Sequence, residues 1–196
     1  MKYIVSKFKD KAGSSLVETL ATVVLLGLMG IALVTGIATI QNTYKKIVRK
    51  ANEQTILSTT LIEMRNEIRK SVDSVTDDKG KVVRFRSKEG YWFSFRNAAE
   101  GEKGIYIEYY LTKDGEPIMT SDKESVPPRP VVSEKNGEVS NVYSSFFQKT
   151  GDDETGGVYK RSDGLFEIKY LQVGETGSTN TTKIDSYYVS QITRRK

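Results

Sequence analysis

Between Glu18 and Lys45 the chain carries no charged residue. Within that run, residues 20–40 read LATVVLLGLMGIALVTGIATI, with threonine as the only polar side chain and glycines at Gly27, Gly30 and Gly36. A helix of about 20 residues rises roughly 30 Å, the thickness of the hydrocarbon layer of a bilayer. Such a segment either spans a membrane or is enclosed by a core. A chain of 196 residues rarely needs so many consecutive uncharged core positions, so insertion is the reading carried forward. Residues 1–13 (MKYIVSKFKDKAG) hold four lysines, Lys2, Lys7, Lys9 and Lys11, against one aspartate, Asp10. Cations before an apolar run keep that end cytoplasmic and send the rest across.

Two absences narrow the chemistry. The chain has no cysteine and no histidine. That excludes disulfides, thiolate nucleophiles and thiolate metal sites, and every triad built on an imidazole base. Carboxylate-only catalysis would remain, but no acidic pair stands out, so the chain is not read as an enzyme and no cofactor is expected. The net charge of +5 falls largely on residues 1–13, which leaves too weak a field for nucleic acid to be an expected partner.

Two kinds of N-terminal signal fit the basic stretch and apolar run. A secretory signal would be cut after a small-x-small site, and Gly36-Ile37-Ala38 supplies one. Against it stand the long basic stretch and Glu18, a carboxylate at the edge of the apolar run and costly in lipid.

The segment Gly13-Ser14-Ser15-Leu16-Val17-Glu18, followed by the apolar run, resembles the type IV prepilin family, which includes the pseudopilins of type II secretion and the pilins of competence systems. The resemblance covers about the first sixty residues. It implies a basic leader ending at Gly13, cut by a membrane prepilin peptidase so that Ser14 becomes the first mature residue. It also implies that Glu18, fifth in the mature chain, meets the terminal amine of a neighbouring subunit during filament assembly. An amine and a carboxylate one helical turn apart are within pairing reach, and low dielectric disfavours leaving the carboxylate alone. Family members are N-methylated on the first mature residue, commonly phenylalanine or another large apolar residue. Here that position is Ser14, which departs from the pattern. Many type IV pilins carry a proline in the apolar helix; here Gly27, Gly30 and Gly36 occupy the stretch, where glycine either loosens a helix or permits close packing. The implied partners are the prepilin peptidase, other pilin or pseudopilin subunits, a membrane platform protein and membrane lipid. The implied location is the cytoplasmic membrane, with the head outside, and then a surface filament.

Helical periodicity continues past the apolar run. Leu57, Leu61, Met64, Ile68 and Val72 recur every three or four residues, one face of an amphipathic helix. Beyond Asp73 the pattern alternates in short aromatic and β-branched runs at residues 82–85, 91–95, 105–111, 139–147, 165–173 and 184–192. In residues 105–111 the odd positions, ending at Leu111, form one apolar face. With no helix-length pattern between them, these strands predict a mostly antiparallel sheet. The expected fold is α+β: a leader at residues 1–13, a transmembrane or filament-core helix at 14–43, an amphipathic continuation at 44–73 and a β-rich head at 74–196. This spine-and-head plan is also what the family resemblance implies.

Two weaker signals remain. Residues 151–157 (GDDETGG) gather three carboxylates between glycines, a composition that suits calcium but lacks EF-hand spacing, so no metal is assigned. Arg84, Arg86 and Arg96 stand among Tyr91 and Trp92, a mixture that stacks single-stranded nucleic acid in some proteins and otherwise lines ordinary half-buried strands. The expected function is that of a minor pilin or pseudopilin. The alternative is an extracellular ligand-binding module, anchored by an uncut helix or released by cleavage after Ala38, that never polymerises.

Overall fold

The computed structural model describes the backbone of residues 2–100, 102–121, 124–132, 143–150, 153–154, 156–175 and 181–191, and side chains within that set from Leu16 onward except at 149–154 and 175. The chain divides into two units, Met1–Arg49 and Lys50–Lys196.

The first unit is entirely helical where described and belongs to α1, Lys2–Lys70. No proline precedes Pro117, and leucine, alanine and methionine favour the helix. Threonine and valine are weaker formers, but the threonines return their hydroxyls to the helix itself. Thr35 donates to the carbonyls of Ile31 and Ala32, Thr39 to Thr35 and Thr43 to Thr39, all at 2.9–3.0 Å.

The second unit holds the last turns of α1 and all the strands. Ile56, Leu57, Leu61, Met64 and Ile68 form the buried stripe of the helix, with Thr60 fully buried among them and donating to the Ile56 carbonyl. Each such apolar side chain stabilises the fold by about 1.5–3 kcal/mol. The helix stops at Lys70, with Arg69 and Lys70 in its last turn, where cations meet the negative end of the helix dipole. The Ser71 hydroxyl then donates to the Ile68 carbonyl at 2.6 Å. The expected continuation to residue 73 is therefore replaced by strand β1, Ser71–Thr76. Val72 belongs to that strand and is 53% exposed, not part of the helical stripe.

Strands β1, β2 (Val82–Ser87), β3 (Trp92–Asn97), β4 (Ile105–Tyr110) and β5 (Arg129–Pro130) form a five-stranded antiparallel meander in chain order. Its inward face carries Phe85, Phe93, Ile105 and Ile107, with Phe85 and Phe93 stacked at 5.3 Å. Leu111 lies past the end of β4 and is exposed, so the apolar face of that strand ends earlier than its alternation suggests.

Strands β6 (Tyr143–Phe147), β9 (Gly157–Lys160), β10 (Phe166–Glu175) and β11 (Thr181–Val189) form a second antiparallel sheet, and β7 (Lys149–Thr150) pairs with β8 (Asp153–Glu154) separately. Along one edge of β10, β9 pairs with residues 166–169 and β6 with residues 171–175. Tyr170 stands between these two ladders with φ 51°, and its carbonyl accepts from the Gln148 amide at 3.0 Å. The inward set changes parity there, from Phe166 and Ile168 to Leu171 and Val173. The inward faces of both sheets and the helix stripe enclose one core. The α+β class with an antiparallel head is thus the observed fold.

Candidate functional site: the apolar helix and the head surface

The apolar part of α1 presents its large side chains as exposed surface. Leu20, Val23, Leu26, Met29, Leu33, Val34 and Ile40 are all more than 60% exposed. The segment is long and apolar enough to cross a membrane. In water such a surface is strongly unfavourable, so it calls for lipid or for other helices. The threonine hydroxyls are already bonded to helical carbonyls, which removes their desolvation cost in either surrounding.

Gly13 and Ser14 lie in the helical backbone, and their surroundings fall outside the described residues. Glu18 follows Ser14 by four positions, about 6 Å of helical rise. Its side chain is exposed, and its backbone carbonyl accepts from Thr22. The helix runs unbroken through Gly27, Gly30 and Gly36, and a Cβ built on any of the three would meet nothing within 4 Å. All three are therefore open to an approaching backbone.

On the head, the register sorts the arginine and aromatic residues. Arg84 and Arg86 occupy one face of β2, opposite the buried Phe85, and Arg86 pairs across with Trp92. Tyr91 is not part of that group; it packs edge-on to Tyr109 against the core. The Arg84 guanidinium lies 4.8 Å from the centre of the Tyr110 ring and donates to the Lys113 carbonyl at 2.8 Å. Gly115, with φ 98°, permits this approach, because a Cβ there would collide with that guanidinium.

Arg96 is the centre of a network that the sequence did not reveal. Its Nε donates to Glu108, its Nη1 and Nη2 donate to Glu102, and its guanidinium lies 5.1 Å from the centre of the Tyr106 ring. The Glu102 hydrogen bond, opposed by partial burial and aided by Glu108, holds the guanidinium above its ordinary pKa. Glu102 is correspondingly held below the usual glutamate range, first by Arg96 and then by the Ala99 amide. The Tyr110 hydroxyl donates to Glu108, and desolvation, followed by that bond, pushes its pKa up. Two of the three arginines are thus engaged within the chain. Arginines and tyrosines alternating along neighbouring strands were the only available signal, and it does not state which carboxylate they meet.

The acidic stretch 151–157 lies partly outside the described residues. Among the described residues no three acidic side chains gather as a metal site. No protein-family model matches the chain, and no curated protein or solved structure is significantly similar to it.

Proposed function

We propose that the chain is a structural subunit, a minor pilin or pseudopilin, of a type IV pilus-like filament. Its leader is removed after Gly13, and its helix then packs among those of other subunits. The observation that carries this reading is the sequence Gly13-Ser14-Ser15-Leu16-Val17-Glu18 placed just before an uncharged stretch of helix whose large apolar side chains are exposed. A simple anchor needs the apolar surface but gives no reason for a carboxylate at position 18. A helix that exchanges lipid for neighbouring helices does, because the amine freed on Ser14 offers Glu18 a partner.

In this reading the helix sits in the cytoplasmic membrane with the head outside until a platform protein and earlier subunits draw it into the filament. Glu18 supplies electrostatic registration, the apolar surface supplies contact area, and Gly27, Gly30 and Gly36 admit neighbouring backbones closely. The head, in which Arg84 and Arg96 are held by contacts of its own, acts as a folded module carried on the filament.

The test is the N-terminal peptide of the membrane-extracted protein from cells with an active prepilin peptidase. A start at Ser14 is expected, with added mass if that amine is methylated. A start at Thr39 would identify a secreted protein, and an uncut start at Met1 would identify a plain anchor; either result overturns the filament reading. Gly13→Leu should leave the precursor uncut.

A further inference from the structure

The membrane-anchor part of that reading leaves one charged feature unused. Lys45 and Lys46 are the first charges beyond the apolar run, and no acidic residue occurs between Glu18 and Glu53. Both lysines are exposed in α1, and neither forms an ion pair among the described residues. At about 100° per residue, Lys45, Lys46 and Arg49 fall within roughly 100° of the helix circumference. Tyr44, Ile47 and Val48 occupy the other side, and all three are exposed.

We propose that Lys45 and Lys46 form a docking surface for the phosphate groups of anionic phospholipids, at the end of the span. Their depth is set by the uncharged run: residues 19–44 reach across the hydrocarbon, and the next two side chains emerge at the headgroups. Tyrosine favours that boundary, and lysine stems lie along apolar surface while their ammonium groups reach the phosphates. Charge complementarity selects an anionic lipid, because no carboxylate beside the two lysines neutralises them. The arrangement also accounts for a balance that membrane topology leaves unexplained. Residues 45–50 hold four basic residues, as many as residues 1–13. The far flank therefore retains cations that orientation alone would disfavour.

The test uses the full chain in vesicles of phosphatidylcholine and phosphatidylglycerol in equal amounts. Flotation reads membrane association, and spin-labelled forms of each lipid read which headgroup the protein holds. The wild-type chain should prefer phosphatidylglycerol, and the preference should fall in high salt. Each lysine strengthens association with an anionic surface by about fivefold at most, so Lys45→Gln with Lys46→Gln should remove most of the preference without reducing flotation. An unchanged preference in the double variant, or one insensitive to salt, overturns the lipid assignment and leaves the anchor intact. Failure of the wild-type chain to float overturns both. Salt-sensitive binding to soluble polyphosphate without lipid preference would assign the lysines to a soluble anionic polymer instead.

Discussion

Tyr170 is an aromatic residue at φ 51° within β10, and the cost of that conformation can be read by comparing two substitutions. Left-handed backbone costs a residue with a Cβ roughly 1–2 kcal/mol, whereas glycine enters it freely. Tyr170→Ala and Tyr170→Gly both remove a side chain that is 40% exposed, so the lost packing is common to both. In an ordinary strand the glycine variant would be the less stable by about 0.5–1 kcal/mol, through the entropy of its unfolded chain. At Tyr170 the relief of strain outweighs that entropy, and the glycine variant should be the more stable by about 1 kcal/mol. Trp92, the single tryptophan, lies in β3 of the same unit and reports unfolding by fluorescence. Denaturant titration of both full-length variants in micelles should give equal slopes and a higher midpoint for glycine. An alanine variant as stable as the glycine variant, or more so, would refute the argument that the parity change in β10 rests on a left-handed residue.

Three further outcomes follow. Glu18→Ala should still insert and be processed but be depleted from sheared filaments; normal incorporation would exclude its pairing with the Ser14 amine. Met64→Ala, at a fully buried position of the helix stripe, should cost about 2–5 kcal/mol, read as a lowered denaturant midpoint. By NMR titration, Glu102 should lose its charge below the usual glutamate range, and Arg96→Gln should return it toward 4.5. Because its folded pKa is lowered, its contribution is present above pH 4.5 and is lost as pH falls through the folded value, so the wild-type chain should lose more stability on acidification through that window than Arg96→Gln does.

What could be read from the sequence divides along a physical line. The apolar segment depends on composition over many residues, and it needs no knowledge of distant contacts. The helix stripe from Leu57 to Ile68 and most strands of the head were legible for the same reason, because burial imposes its period on the local sequence. The helix end was not. Val72 follows Ile68 by four residues and so continues the pattern, yet the Ser71 hydroxyl closes the helix one residue before it. Strand β9 has four residues and borders an acidic stretch, too short for alternation to stand out. The parity change at Tyr170 was invisible because it falls where the end of β6 and the start of β9, separate in the sequence, meet along β10. Of the candidate site, the apolar run was legible, whereas the Arg96 network required the register of β3 on β4, which places Ser94 opposite Glu108 and Arg96 opposite Tyr106.

The direct passage from Lys70 into Ser71 has a mechanical consequence. There is no slack between helix and strand, so a pull along the last turns of α1 cannot be taken up by straightening a linker. It falls at once on Ile56, Leu57, Leu61, Met64 and Ile68, which must leave the core together, while the Glu53–Thr182 and Glu67–Arg129 bonds hold the same segment to the strands. Side chains loaded in parallel resist more than those released one after another. Within the second unit the last turns of α1 are therefore joined to the strands as a shear joint, a geometry that resists tension.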